Sequence, residues 1–263
     1  MKGDWTHFLL VADSDVPLFR SLATSSRQVI SERDLLPSWL FVCPDPFSFM
    51  RRKLWLSPFS IPLRGWHVQQ LRRMALARHI SEPTMLTLDS DVVLIRDFDP
   101  ADLWQDGRLA LYRQENAIDA SARSDHLKWL SHSERVLGCA PAQLPATDYI
   151  SSLLPWRTDT CLQMLDHIEA RHGQHWVRTM IRTRAFSECI IYGRFVDDVL
   201  HGAGHYAMPH PLCHSLWLGD SYARDLAGLE SFVADLAPNH VCLQIQSFLG
   251  HSIANIRAVT TMA

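Results

Sequence analysis

Short apolar runs alternate with helical patterns through the first part of this 263-residue chain. The apolar runs lie at residues 8–12, 39–43 and 86–94, and helical apolar spacing marks residues 17–30 and 66–79. Strands and helices in alternation are typical of an α/β fold with a mixed, mainly parallel sheet flanked by helices. Such a sheet binds its ligands beyond the carboxyl ends of its strands, so we expect the functional site there.

The composition is that of an ordinary globular protein, with 47% hydrophobic and 20% charged residues. A net charge of −3 lacks the basic surplus of a dedicated nucleic-acid binder, so we expect no nucleic acid partner. No apolar stretch reaches the length of a membrane span, and the first run is too short for a signal peptide, which predicts a cytoplasmic protein. Without repeats or linkers in the sequence, we expect a single domain over residues 1–263.

Two acidic residues interrupt the apolar run at residues 86–94. Asp89 and Asp91 flank Ser90, and alternate residues of an extended chain point to the same side. Two converging carboxylates suit a hard divalent cation, Mg²⁺ or Mn²⁺, that also binds waters or a diphosphate. The alternative is a pair of turn-forming aspartates, since a lone D-x-D segment is a weak motif.

Three segments, at residues 65–71, 86–98 and 186–193, together resemble an uncharacterised bacterial family of GT-A-like glycosyltransferases, distantly similar to glycosyltransferase families 8 and 32. The resemblance implies a GT-A-like, Rossmann-type sheet, with a nucleotide-binding part at about residues 1–115 and an acceptor side at about residues 116–263. It also implies a nucleotide-sugar donor and a saccharide or glycolipid acceptor, in the synthesis of a surface polysaccharide or glycoconjugate. A Mn²⁺ or Mg²⁺ ion would bridge the D-x-D segment and the donor diphosphate.

The resemblance further implies a set of donor-binding residues. Asp13 and Asp15 follow the first strand, where these enzymes hold the base and the ribose. An Asx turn is the alternative for that pair. Gln70 stands roughly where family 8 members typically carry a lysine. The residues expected to contact the donor are Asp13, Asp15, Trp66, Gln69, Gln70, Arg73 and Ser90, and for Trp66 a place in the core is the favoured alternative.

Two further roles follow from the same resemblance. A histidine near the C-terminal end often completes the metal shell, and of His210 and His214 we favour His214, with a structural histidine as the alternative. Ser187 is expected to cap a late helix, and Glu188, which follows it, is the expected catalytic base for the acceptor hydroxyl. An acid in the first turn of a helix also stabilises that helix without any chemistry, so this alternative stays open.

Two other function classes fit the same residues. The apolar run at residues 86–94 also resembles the nucleophile strand of haloacid dehalogenase-like phosphatases. In that class Asp89 would be the nucleophile and Asp91 a general acid and base. Residues 219–225 hold a passable late acidic motif for that class. The nucleophile strand normally opens such a domain, whereas two strand and helix units precede it in this chain. A non-catalytic nucleotide-binding module is the third possibility.

A basic and aromatic segment at residues 47–56 lies outside these motifs. It interleaves Phe47 and Phe49 with three adjacent cations, Arg51, Arg52 and Lys53. One interpretation is a peripheral contact with the inner face of a membrane. The other is a loop whose aromatic side chains fold inward while its cations face water. We favour the second, because basic side chains commonly extend over apolar surface.

Overall fold

The computed structural model describes residues 1–121, 124–217, 220, 222 and 225–261. Its helices are α1 (Val16–Phe19), α2 (Glu32–Leu35), α3 (Gly65–Leu76), α4 (Ser124–Leu137), α5 (Thr158–His172), α6 (Trp176–Met180), α7 (Glu188–Arg194), α8 (Leu226–Ala234) and α9 (Ile253–Thr260). Its strands are β1 (His7–Val11), β2 (Arg27–Ser31), β3 (Phe41–Pro44), β4 (Lys53–Ser57), β5 (Ser60–Arg64), β6 (Thr84–Leu88), β7 (Val92–Leu94), β8 (Trp104–Gln105), β9 (Arg108–Tyr112), β10 (Gln114–Ile118), β11 (Ala146–Asp148), β12 (Leu153–Arg157), β13 (His205–Met208), β14 (Cys213–Leu216) and β15 (Cys242–Ile245). The predicted α/β class is confirmed. None of the described helices combines the length and the apolar character needed to cross a bilayer.

Antiparallel pairing prevails among the described strands. Parallel pairs join β1 to β2, β9 to β13, and β14 to β15. The other six described pairings are antiparallel. The mainly parallel sheet expected from the sequence is therefore corrected to a set of small sheets of mixed direction.

Hairpins account for the difference from the predicted sheet. β3, β4 and β5 form an antiparallel meander. β8 and β9 are joined by a two-residue turn at Asp106 and Gly107, whose φ angles are 50° and 72°. A two-residue hairpin turn requires this left-handed backbone, which glycine adopts without steric cost. Strands joined by so short a turn can pair only in the antiparallel direction.

Only one of the two early helices lies where the apolar spacing predicts it. α3 occupies most of the predicted helix at residues 66–79. The predicted helix at residues 17–30 is wrong, because α1 ends at Phe19 and Ile30 belongs to β2, where it pairs with Leu10 of β1. Val29 and Ile30 are β-branched, and such residues fit a pleated strand better than a helix.

Helix α3 packs its apolar face into a large hydrophobic core. Val68, Leu71 and Met74 recur at a spacing of three residues and are fully buried. They belong to the same core cluster as Met164 of α5 and Ile191 of α7. This packing fixes α3 relative to α7, and with it the polar side chains that the two helices carry.

The D-x-D segment connects two sheets. β6 pairs with β12, and β7 pairs with β15 near the C-terminal end of the chain. Ser90 and Asp91 turn between the two strands, so the single strand predicted at residues 86–94 is broken there. Val92 lies opposite Gln244 in the register of β7 and β15. This pairing brings the C-terminal part of the chain to the D-x-D turn.

Candidate functional site

The two carboxylates of the D-x-D segment converge on one amide group. Gln244 donates from Nε2 to Asp89 Oδ2 at 3.2 Å and to Asp91 Oδ1 at 2.9 Å. The backbone N–H of Ser247 donates to the other oxygen of Asp91 at 3.1 Å. The two side chains therefore point the same way, although Ser90 and Asp91 turn between β6 and β7 and the chain is not extended there.

Helix α3 supplies a second set of contacts to Asp89. Gln69 and Arg73 are four residues apart and so lie on one face of the helix. Gln69 Nε2 donates to Asp89 Oδ1 at 2.7 Å, and Arg73 Nη2 donates to the same oxygen. Arg73 Nη2 also donates to the Leu88 carbonyl at 3.0 Å, at the end of β6. Asp89 is thus held by α3 on one oxygen and by β15 on the other.

Arg73 joins Asp89 to the predicted catalytic residue, Glu188. Arg73 Nη1 donates to Glu188 Oε1 at 2.8 Å. The Glu188 side chain is only 4% exposed and that of Arg73 15%. The Gln70 side chain accepts the backbone N–H of Glu188 at 3.0 Å, while Ser187 caps α7 through the N–H of Ile190, as the sequence predicts. Glu188 therefore lies behind Arg73 in the protein interior.

The charges of Arg73 and Glu188 depend on each other. Burial raises the pKa of the Glu188 carboxyl, although the neighbouring Arg73 charge opposes the rise. Burial alone would lower the pKa of Arg73, but Glu188 and Asp89 outweigh burial and raise it, so the guanidinium stays charged. Removal of one partner from a buried ion pair leaves the other charge uncompensated.

The contacts that Gln244 and Ser247 make with the two aspartates were not expected from the sequence. Gln244 is 1% exposed and lies inside the apolar strand β15. A buried amide in an apolar strand is the sequence signal that could have identified it, because buried polar groups need partners. The Ser152 hydroxyl donates to Gln244 Oε1 and so turns the Nε2 atom toward the aspartates. Ser152, Gln244 and Ser247 are the site residues that sequence reasoning missed.

Substitution of Gln244 by leucine tests this buried connection. We expect the free energy of unfolding to fall by about 1–3 kcal/mol, because the buried Ser152 hydroxyl loses one of its two partners and the aspartates lose their shared donor. Urea unfolding would measure the change. Equal stability of Gln244→Leu and the wild type would show that the network contributes nothing.

His214 is not placed with the two aspartates. Its Nε2 donates to the Phe232 carbonyl at 2.8 Å, and its ring stacks on the rings of Phe232 and His240 at 4.1 and 4.9 Å between centroids. Among the described residues, no group of three or more His, Cys, Asp or Glu side chains could hold a metal ion. The metal set predicted from Asp89, Asp91 and His214 is therefore not assembled, because a carbonyl and two rings hold the imidazole elsewhere.

Asp13 and Asp15 follow β1 in a turn of 3₁₀ helix, and both side chains form hydrogen bonds or ion pairs with other side chains of the protein. Asp13 accepts from the Ser31 hydroxyl at 2.9 Å and pairs with Arg33 at 3.1 Å. Asp15 pairs with Lys53 at 2.5 Å. The expected position after the first strand is thus confirmed, while a role in holding base and ribose stays a prediction.

Trp66 and Ser90, which were expected at the donor, both reach the surface. The Trp66 side chain is 48% exposed and lies one turn before Gln69 on α3. Its ring is 5.7 Å from that of Trp129 on α4, measured between centroids. Ser90 is exposed at the tip of the D-x-D turn. A half-exposed indole near a polar site can stack on a base or a sugar ring.

The two aspartates fit a divalent cation that is completed by a ligand. Asp89 Oδ2 and Asp91 Oδ1 share one donor, so the two oxygens lie close together, and each keeps a lone pair. Mg²⁺ is usually bound by one or two carboxylates together with waters and substrate phosphates, without a full protein cage. The donor set is therefore suited to Mg²⁺ or Mn²⁺ bound with a diphosphate.

Comparison with known proteins identifies the family of the chain but no activity. No curated protein matches the sequence at a significant level. The sequence profile of DUF6492, described as a family of unknown function, matches residues 1–257. That match spans nearly the whole chain, and the protein therefore belongs to the DUF6492 family.

Proposed function

We propose that this protein is a metal-dependent glycosyltransferase of GT-A type that moves a sugar from a nucleotide-sugar donor to an acceptor hydroxyl. The observation that carries the proposal is the convergence of Asp89 and Asp91 on Gln244 at the end of β6. A buried residue of a distant strand holds two carboxylates together, which a pair of turn-forming aspartates would not need. The resemblance of three segments to GT-A-like enzymes supports the same activity.

Asp89 and Asp91 are proposed to bind the cation through the oxygens that face Gln244. The bound ion would neutralise charge on the departing nucleotide diphosphate. Gln244 keeps the two carboxylates at a fixed separation, and Gln69 and Arg73 fix the direction of Asp89. Ligands that are oriented before the substrate binds lose little entropy when it arrives.

Glu188 is proposed to position Arg73, in place of the base role expected from the sequence. A catalytic base must lie within hydrogen-bond reach of the hydroxyl that it deprotonates. The Glu188 carboxylate is almost fully buried and is occupied by Arg73. Its charge keeps the guanidinium in place, and the guanidinium in turn holds Asp89 and the end of β6.

A cavity beside α7 is the proposed place for the saccharide or glycolipid acceptor. It has a volume of about 850 Å³, and its lining includes Arg113, Arg194 and Asp197. Charged side chains of both signs suit the hydroxyl groups of a sugar, which donate and accept hydrogen bonds. Arg194 is the last residue of α7, and Glu188 is the first, so this short helix connects the cavity to the Arg73 pair.

The phosphatase alternative has less support from the geometry. A nucleophilic Asp89 would have only Oδ2 for the attack, because Gln69 and Arg73 both donate to Oδ1. The neighbouring strand β12 runs antiparallel to β6. Of the late acidic motif proposed for that class, Gly219, Ser221, Ala223 and Arg224 lie outside the described residues.

A panel of nucleotide-sugars with Mn²⁺ tests the proposed activity. Release of free nucleotide that requires one particular sugar donor, and that a chelator abolishes, is the expected result. Phosphate release from simple phosphomonoesters, with no dependence on a nucleotide-sugar, would support the phosphatase alternative. A non-catalytic module would bind a nucleotide and release nothing.

A further inference from the structure

The loop between β3 and β4 presents three large apolar side chains to solvent. Phe47 is 93% exposed, Phe49 88% and Met50 65%. The sequence favoured the opposite arrangement, with the aromatics folded inward under the cations. Large apolar side chains that lie close together along a chain are rarely left so exposed unless they meet a partner.

Hydrogen bonds within the loop hold these side chains outward. Asp45 and Arg52 close the loop through the Asp45 N–H and the Arg52 carbonyl at 2.8 Å, and the Met50 N–H donates to the Asp45 carbonyl at 3.0 Å. The Asp45 carboxylate accepts the Phe47 N–H at 3.0 Å, and the Ser48 hydroxyl accepts the Arg52 N–H at 2.9 Å. The backbone is therefore fixed in a conformation that points the apolar groups away from the core.

The same loop adopts an unfavourable backbone at its tip. Phe49 and Met50 have φ angles of 53° and 63°, in the left-handed region that bulky side chains rarely adopt. Such conformations cluster where function requires them. Here the left-handed turn is what brings Phe47, Phe49 and Met50 to one exposed tip.

The charges around the tip specify the partner. Arg51 and Arg52 follow the apolar residues directly and are exposed. Lys53 donates to Ser14 at 2.7 Å and pairs with Asp15, just before α1, where Leu18 is 74% exposed. The surface thus combines the exposed apolar tip, the two exposed arginines that follow it and the exposed Leu18 side chain of α1. A lipid surface with anionic headgroups matches both the apolar side chains and the arginines, because its interior takes apolar groups and its phosphates attract arginine.

We propose that residues 46–52 form a docking tip for an anionic lipid bilayer. Phe47, Phe49 and Met50 insert at the boundary of headgroups and acyl chains, and Arg51 and Arg52 contact lipid phosphates. The docking is independent of the proposed sugar transfer, and it requires no segment that crosses the membrane.

Sedimentation of the protein with large vesicles tests the docking tip. Vesicles of phosphatidylcholine alone are compared with vesicles in which about one-third of the lipid is anionic phosphatidylglycerol. We expect the wild type to bind the anionic vesicles and to be released by high salt. Failure to bind, or equal binding to both kinds of vesicle, would overturn the proposal.

Three variants separate the parts of the tip. Phe47→Ser with Phe49→Ser should weaken binding to anionic vesicles by roughly tenfold or more, because two inserted rings are lost. Arg51→Gln with Arg52→Gln should weaken it by roughly tenfold or more and remove the preference for anionic lipid.

Phe248→Ser is the matched control, since Phe248 is 65% exposed at another loop, and it should bind as the wild type does. All these residues are exposed, so each variant should fold. Equal effects of the Phe248 and Phe47 with Phe49 substitutions would show adsorption without a docking site, and overturn the proposal.

Discussion

Replacement of Arg73 by methionine is expected to lower the free energy of unfolding by about 3–5 kcal/mol at neutral or higher pH. The guanidinium compensates the buried carboxylate of Glu188, bonds Asp89 and binds the carbonyl at the end of β6. Methionine fills a similar volume but leaves Glu188 charged and unpaired in the interior. Urea unfolding of the variant and the wild type under the same conditions measures the loss.

The pH dependence identifies Glu188 as the cause of that loss. Burial already raises the pKa of Glu188, and removal of Arg73 raises it further. A carboxyl whose pKa is higher in the folded than in the unfolded state destabilises the fold once the pH exceeds the unfolded value. The deficit of Arg73→Met should therefore be largest at about pH 8 and shrink toward about pH 5, as Glu188 takes up a proton. Arg73→Met with Glu188→Gln should be more stable than Arg73→Met at the higher pH. A deficit that is independent of pH would contradict the assignment.

On the proposed function, the substitution Asp91→Asn is expected to lower sugar-dependent release of nucleotide by at least about a hundredfold, because it removes a charge that would hold the cation at the leaving diphosphate. Asparagine keeps the shape of the side chain and can still accept from Ser247 or Gln244. The variant should therefore fold with nearly unchanged stability. Rates measured with the best donor from the nucleotide-sugar panel, at saturating Mn²⁺, provide the comparison.

Asp97→Asn is the matched control for that variant. Asp97 lies six positions further along the chain, and its side chain is 85% exposed and lies 4.0 Å from Lys2. Its substitution removes the same charge from the same region and should leave the rate unchanged. Equal activity of Asp91→Asn and Asp97→Asn would show that Asp91 is a turn residue without a role in transfer.

Local pattern predicted the parts of the site that lie close together in the chain. The helical spacing of Leu71, Met74 and Ala75 predicted α3. The apolar run around Asp89 and Asp91 predicted strand on both sides of the two carboxylates, but not the break between β6 and β7. Ser187 was identified as a helix cap because its side chain acts on the next turn of its own helix. Each of these predictions depends on interactions within a few residues.

Contacts between distant segments were not predictable in the same way. Gln244 lies 153 positions from Asp91, and the antiparallel pairing of β7 with β15 is what joins them. Glu188 lies 115 positions from Arg73, so a helix start could not reveal that the carboxylate faces an arginine. The prediction that His214 joins the two aspartates was wrong for a similar reason. Its stacking on Phe232 and His240 depends on packing between distant segments and not on local sequence.

Isothermal titration with uridine, guanosine and adenosine diphosphates, each with and without Mn²⁺, tests most directly whether Asp89 and Asp91 form a cation and diphosphate site. We expect the wild type to bind at least one of the three only when Mn²⁺ is present. Asp91→Asn should lose that binding, and Asp97→Asn should keep it. Absence of metal-dependent binding to every diphosphate, or equal binding by Asp91→Asn and the wild type, would contradict the proposed role of the two aspartates.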